Sequence, residues 1–423
     1  MADMARLTVE HVARIEGHGN ITVNVENGEV REVRMDVVEP ARFFESMVVG
    51  RSFDEAPLIT SRICGICSPN HVVTSIKAIE AALGIEVSER TAMLRKLLVY
   101  GSYLQNHATH LYILAAPDYV GLPSVFPLAR SMPEVVARAL RLKKLGNDLT
   151  TAVGGRPVHP VSAVVGGFTA EPAPEVLASY RDLLLGVVDD ALATVELFAS
   201  FEVPDFRTAG EMLALSAPDD YAIYDGQTAA LDGGWVRPAG EYRSFIGETV
   251  VGHSNAKHST VDGRPFLVGS VARANINAAR LNEAGRAALA KSGVTLPTRN
   301  PFHMNVLQAV EMADASARCA GYIERLLEMG GSSVPEPIAL RAGDGGSATE
   351  APRGTLYHSY AIDAGGLITR GDVITPTAQN LANIEADMRA FAPTVADRSE
   401  AEFALLIEEL IRAYDPCLSC SVH

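Results

Sequence analysis

The chain has 423 residues, of which 48% are hydrophobic and 21% charged, enough to bury a large core in one domain or two fused lobes and too apolar for a disordered polypeptide. Its 51 acidic against 36 basic residues give a formal net charge of −15, which argues against nucleic-acid or anionic-membrane partners, since both depend on basic patches. No secretory leader opens the sequence and no run approaches the roughly 20 apolar residues of a membrane span, so a cytoplasmic protein with no direct membrane span is expected.

The first forty residues read as strands. Residues 21–25 alternate apolar and polar, Asn27-Gly28 signals a hairpin turn, and residues 30–38 resume with valines; the charged stretch Arg14-Ile15-Glu16-Gly17-His18-Gly19 is expected as a turn. From Pro69 the pattern becomes helical. Ser88 is a candidate N-cap with Glu89 behind it, opening a helix to about Ala115. Ser131 with Pro133 starts another that runs to Gly154-Gly155, and residues 174–200 are apolar nearly all round, which predicts one buried helix. Residues 201–272 break into short strand-like pieces. Helix returns over 277–292 and 302–329, the second ended by Gly330-Gly331; residues 343–346 read as a loop and 355–374 as a hairpin turning near Gly365-Gly366. Two last helices, 377–391 and 399–414, complete the pattern. The expected fold class is therefore α+β, predominantly helical, with a long-helix bundle core, a β-rich N-terminal lobe and small β excursions. It forms one unit over 1–423: a β-rich part at 1–40, a helical core at 69–200 and 277–414, an irregular excursion at 201–272 and a tail at 415–423.

Chemistry concentrates in two cysteine pairs, Cys64/Cys67 and Cys417/Cys420, whose four sulfurs suffice to hold a soft or borderline metal; Cys319 is left over and reads as a small buried apolar residue. A structural zinc site, a thioredoxin-like dithiol and a catalytic metal centre all accommodate the spacing. Zinc modules bring their pairs together within about 15 to 20 residues. Here 417 − 67 = 350 positions separate them, which favours an interior, catalytic site.

The flanking residues are more specific. Arg62-Ile63-Cys64-Gly65-Ile66-Cys67 with His71 four residues on, Asp415-Pro416-Cys417-Leu418-Ser419-Cys420 with His423 three further, Arg14-Ile15-Glu16-Gly17-His18, and Glu350-Ala351-Pro352-Arg353-Gly354 together resemble the large subunit of nickel–iron hydrogenases, in that family's order and over essentially the whole chain.

The resemblance implies a set of roles. Cys64 and Cys417 would be terminal thiolates on nickel, and Cys67 and Cys420 would bridge nickel to an iron carrying carbon monoxide and cyanide. His71 would donate a hydrogen bond to a bridging sulfur. The base for heterolytic cleavage of H2 would be Cys417 or the guanidine of Arg353, which otherwise hydrogen-bonds a cyanide. Glu16 would relay the proton outward, the alternative being a salt bridge to Arg14. Glu45, the carbonyl of Val373 and the His423 imidazole would clamp a Mg2+ ion, although Phe43 stands where the family usually has glycine. Thr377 would hydrogen-bond a cyanide or simply cap the next helix. Asn106 replaces an aspartate found in membrane-linked uptake members and points to the soluble, cytoplasmic branch.

The same resemblance implies an iron–sulfur small subunit as a required partner, since Cys319 alone cannot hold a cluster. Electrons would pass through further electron-transfer subunits to NAD(P), a deazaflavin coenzyme or a heterodisulfide reductase module. A maturation endopeptidase would trim the precursor after His423. A non-catalytic relative of the complex I quinone module and a zinc-stapled scaffold remain as alternatives.

Overall fold

The computed structural model describes residues 4–423. A three-stranded antiparallel meander, Met4–Val9, Gly19–Glu26 and Glu29–Val37, opens the chain, with Asn27-Gly28 at the expected turn and Ile21, Val23, Val25 and Met35 wholly buried on one face. Ser68–Leu83 is the first long helix, and Glu89–Thr109 follows. The Ser88 hydroxyl caps the second helix by accepting from the Thr91 N–H at 3.2 Å. The helical stretch does reach Ala115, becoming π-helical over His110–Ala115, and continues for one further turn, Ala116–Tyr119.

Pro133–Gly154 packs along Glu89–Thr109 and ends on Gly155 in the left-handed conformation. Ser131 closes a separate short helix, Val125–Ser131, and Met132 stands at the N-cap in its place. The single buried helix expected over 174–200 is two, Pro174–Gly186 and Val188–Ala199, breaking at Val187; Leu183 and Leu185 are about half exposed, so its apolar girth exceeds what the core receives. Residues 201–272 hold short strands in a four-stranded and a two-stranded sheet, the expected β excursion. Helix resumes at Ser270–Asn277, earlier than its apolar spacing suggests, and then at Glu283–Ser292 and His303–Glu328.

The last sheet overturns one expectation. Residues 343–346 are not a loop but the start of strand Gly343–Ala351, which pairs with Gly354–Ile362, itself paired with Ile368–Ile374. Its glycines serve close packing rather than turning: a Cβ on Gly345 would lie 2.2 Å from the Ala82 nitrogen and 2.6 Å from the Ala78 oxygen, so only glycine lets this strand lie flat on the Ser68–Leu83 helix. Pro376–Phe391 and Glu400–Ala413 then lead into the tail. Roughly half helical with small sheets, the molecule is an α+β fold, and its first sheet, last sheet and two helix starts converge on the cysteine pairs.

Candidate metal centre

The two cysteine pairs meet. Cys64 ends the one-turn helix Ser61–Ile63, and Cys67 sits just before Ser68–Leu83, where Pro69 in the first turn sets the helix direction. The Cys67 N–H points at the Cys64 sulfur, 3.2 Å away. From the other end, Glu400–Ala413 begins with a Ser399/Glu402 capping box and delivers Asp415, with φ of 49°, then Cys417 and the single turn Leu418–Ser421. Cys64 Sγ lies 3.7 Å from Cys417 Sγ and Cys67 Sγ 3.8 Å from Cys420 Sγ, all four buried. The Cys417 and Cys420 sulfurs lie against each other, so as thiolates the four residues offer their sulfurs within one small volume.

The N-terminal turn holds the tail in place. The Leu418 N–H donates to the Glu16 carbonyl at 2.9 Å, and the Glu16 carboxylate accepts from the Ser419 N–H at 3.2 Å and its hydroxyl at 2.5 Å. Its Oε2 also stands 3.0 Å from the Cys417 sulfur. Gly17, at φ of 85°, permits this approach, because a Cβ there would lie 2.8 Å from the Ser419 nitrogen. Arg14 does not pair with Glu16; its guanidinium engages Asp118 and the Leu114 carbonyl. Arg42 clasps both halves, donating to the Ile63 carbonyl at 2.7 Å and to the Ser419 carbonyl, while its own N–H reaches the Val422 carbonyl at 3.0 Å.

Arg353 occupies the two-residue tip between strands Gly343–Ala351 and Gly354–Ile362. Its Nε donates to the Asp415 carbonyl at 2.7 Å and one terminal nitrogen pairs with the Asp415 carboxylate at 3.0 Å; the other, buried, has no partner in the protein. Burial alone favours neutral guanidine. Asp415 and the neighbouring Cys64 and Cys67 outweigh it, so Arg353 is held even more firmly protonated than in water. Burial likewise pushes Asp415 up, but Arg353, His110 and a hydrogen bond from Asn106 Nδ2 at 2.8 Å hold the carboxyl below its ordinary range. Asn106 thus supports the counter-ion of Arg353 instead of adding a second charge.

A histidine chain backs the other side. His71 Nδ1 is 3.1 Å from His358 Nε2, and His358 Nδ1 is 2.8 Å from the Tyr360 hydroxyl, which meets Ser75 at 2.9 Å. His71 offers a ring nitrogen within 4.8 Å of the Cys67 and Cys420 sulfurs, and its Nε2 is buried without a protein partner. Burial, reinforced by nearby His423 and Arg42, pulls His71 down to about 3 and keeps it neutral.

At the outer end of the tail Glu45, Val373 and His423 come together. His423 Nε2 is 2.6 Å from the Val373 carbonyl and 3.8 Å from Glu45 Oε1, which also accepts from the Val373 N–H at 2.9 Å. Lys257 approaches the same carboxylate at 3.7 Å. Phe43 adopts φ of 56° and is two-thirds exposed, which explains why glycine suits this position. Thr377 is not the cap of its helix, a place taken by Thr375; its hydroxyl accepts from the Cys417 N–H at 2.9 Å.

His71, beside the Cys67 and Cys420 sulfurs, and Arg353, whose charge acts on Cys64 and Cys67, each keep a buried nitrogen without a protein partner, so the pocket combines soft donors with hydrogen-bonding groups to spare, which fits a thiolate-bound metal group carrying acceptor ligands. Sequence reasoning left Asp415, Arg42, Ser419 and His358 without roles. The first sits inside the quoted tail motif and its buried charge was discoverable there; a lone histidine on a strand gives no comparable signal.

Comparison with known proteins agrees with this geometry. The family described as nickel-dependent hydrogenase matches residues 42–132 and 309–423, and a HoxL-like family matches 6–39. The chain is 36% identical over 420 residues to the sulfhydrogenase 1 alpha subunit of Pyrococcus furiosus, covering 99% of this chain and 97% of that one, and 34% identical to the sulfhydrogenase 2 alpha subunit of the same organism, covering 99% and 98%. Among solved structures, an NAD+-reducing [NiFe]-hydrogenase in the H2-reduced state superposes with a TM-score of 0.88 at 27% identity, over 99% of both chains. A [NiFeSe] hydrogenase from Desulfovibrio vulgaris Hildenborough shares the fold, with a TM-score of 0.80 at 24% identity over 99% of this chain and 100% of that one.

Proposed function

The chain belongs to the nickel-dependent hydrogenase family as its catalytic, H2-acting subunit, and from that premise we propose that it cleaves H2 heterolytically and reversibly at a nickel–iron group held by Cys64, Cys67, Cys417 and Cys420. The observation that carries this reading is the meeting of four buried sulfurs from opposite ends of the chain. When bound, the group, with carbon monoxide and cyanide on its iron, supplies the Lewis acid and the redox couple.

The chain's own residues supply the rest. Cys64, Cys417, Cys67 and Cys420 would hold the group as thiolates. Cys417 Sγ receives the proton and Glu16, 3.0 Å away, accepts it, with Ser419 holding the carboxylate in place. Arg353 is assigned a positioning role and not that of base, because Asp415 fixes its fork and holds its proton. Its free terminal nitrogen, like His71 Nε2 and the Thr377 hydroxyl, is assigned to the ligands and sulfurs of the metal group. Glu45, the Val373 carbonyl and His423 offer a carboxylate, a carbonyl and an imidazole, a set that suits Mg2+ once Lys257 withdraws.

Electrons leave through a partner. Apart from these ligands only Cys319 remains, and it is buried and pushed by burial toward the protonated thiol, so an iron–sulfur small subunit takes the electrons and hands them, through further subunits, to a soluble acceptor such as NAD(P), a deazaflavin coenzyme or a heterodisulfide reductase module. No helix among the described residues is long and apolar enough to cross a membrane, and a cytoplasmic location accords with such acceptors. Infrared spectroscopy of the purified complex tests the centre: carbonyl and cyanide bands together with one nickel per catalytic subunit, and iron in excess of nickel by the cluster content of the partner subunits, are expected, whereas zinc without nickel and no such bands would refute the assignment.

A further inference from the structure

Away from the cysteines, His253, His258 and Glu385 each place a ligand atom within 4.8 Å of the other two. They come from separate elements. His253 lies in the loop joining strands Ile246–Thr249 and His258–Val261, His258 begins the second of these, and Glu385 projects from the middle of helix Pro376–Phe391. The loop is built and tied down: Asn255 N–H donates to the Val37 carbonyl at 3.0 Å, Val37 N–H donates to the Ser254 hydroxyl at 3.2 Å, and Thr249 Oγ1 donates to the His258 carbonyl at 3.3 Å. Glu385 is aimed by the Met35 N–H, which donates to Oε1 at 2.8 Å, and the same oxygen is 2.8 Å from His253 Nε2.

An ordinary ion pair between His253 and Glu385 accounts for two of the three residues. It does not account for His258, which is 6% exposed and whose Nε2 is buried with no hydrogen-bond partner, although its ring stands edge-on to that of His253 at 5.7 Å between centroids. Buried polar nitrogens are paired almost without exception in folded proteins. Two imidazoles and one carboxylate converging from three elements are the donor set of a divalent first-row metal, with room left for water as a fourth ligand.

We propose that His253, His258 and Glu385 form a second metal site, of zinc(II) chemistry and free of sulfur, that staples the 250–258 loop and the N-terminal sheet to the Pro376–Phe391 helix. The staple has a reason to exist. The first turn of that helix carries Thr377, whose hydroxyl receives the Cys417 N–H, and a cation eight residues further along holds the helix where Thr377 meets the tail. The site is independent of the hydrogenase assignment, since none of its ligands touches the cysteine cluster.

The test uses the purified, nickel- and iron-loaded complex, stripped of loosely held ions with a chelator and then titrated with Zn2+ alone and, separately, with Co2+ as a visible probe. Wild type is expected to bind one more Zn2+ than His258→Ala or Glu385→Gln, with affinity in each variant lower by about 100-fold, and to gain more unfolding temperature than the variants when Zn2+ is restored to the stripped complex. Bound Co2+ should show ligand-field bands of a nitrogen–oxygen site without sulfur charge-transfer bands. Nickel content and iron content are each the same in wild type and variants throughout. Equal Zn2+ uptake by wild type and variants, or a cobalt spectrum dominated by sulfur, overturns the proposal. His253→Gln, at a quarter-exposed side chain, serves as the variant if His258→Ala does not fold, and the same comparison applies.

Discussion

Replacing Glu16 by Gln separates its structural work from its chemical work. The amide can keep its oxygen on the Ser419 N–H, turn its NH2 toward the Ser419 hydroxyl and leave the Leu418 N–H on the unaltered Glu16 carbonyl, so two of the contacts that seat the tail persist in kind and the third reverses direction. The loss in stability should therefore stay near that of one exchanged hydrogen bond, about 1 kcal/mol. The proton at Cys417 Sγ, in contrast, loses its acceptor at 3.0 Å, and removal of a positioned acid–base group lowers turnover by about 10²- to 10⁴-fold, or about 3 to 5 kcal/mol of barrier. Glu16→Asp withdraws the carboxylate by about 1.5 Å; a water must then bridge, and activity should fall between the two. The assay is H2 oxidation with an artificial acceptor, alongside hydrogen–deuterium exchange, on preparations matched for nickel, iron and infrared bands. A Gln variant with full metal and normal bands that keeps more than about half of the wild-type turnover would show that protons leave by another route.

Asp415→Asn strips the buried counter-ion from Arg353 and should cost about 3 to 5 kcal/mol, read from the unfolding midpoint; adding Arg353→Ala to it should cost less than the two separate losses combined. Burial, abetted by Asp118, pushes Glu409 up to about 7 despite Arg412 and Arg14. The folded state therefore binds this proton more tightly than the unfolded chain, and stability is lost as pH rises through that range. Glu409→Gln should raise stability at pH 8 by about 3 kcal/mol and leave it nearly unchanged at pH 4.5, which thermal unfolding at the two pH values checks. Gly345→Ala drives a Cβ into rigid helix backbone and should cost about 2 to 3 kcal/mol or prevent folding, whereas Gly365→Ala, facing only Asp363 Oδ1 at 3.4 Å, should be near neutral in the same measurement.

Local chemistry made much of the fold legible. Asn27-Gly28, the Ser88 cap and Gly155 after its helix are decided within a few residues, and each element appeared where those signals put it. What failed was decided at a distance. Glycines 343–346 look like a loop until the Ser68–Leu83 helix is laid against them, and the 174–200 stretch looks buried until its position at the surface is known. The site divides the same way. Its cysteines, Glu16, Glu45 and His423 carry motif spacing and converge in space, but the pairing of Arg14 with Asp118 in place of Glu16, and the contact of His71 with His358 across 287 positions, follow only from tertiary packing.

The separation of 353 positions between each facing pair of cysteines bears on the order of events. Closing a flexible loop of that length costs about 5 kcal/mol by the logarithmic law, and a lone metal would have to meet that cost from its own binding energy. In this chain the cost is met by folding, through the Arg42 clasp, the Glu16 turn and the helix that sets down Asp415. During synthesis the first cysteine pair emerges long before its counterpart. The four sulfurs can therefore meet only after the chain is complete to Cys420, so the centre is among the last parts of the molecule to form.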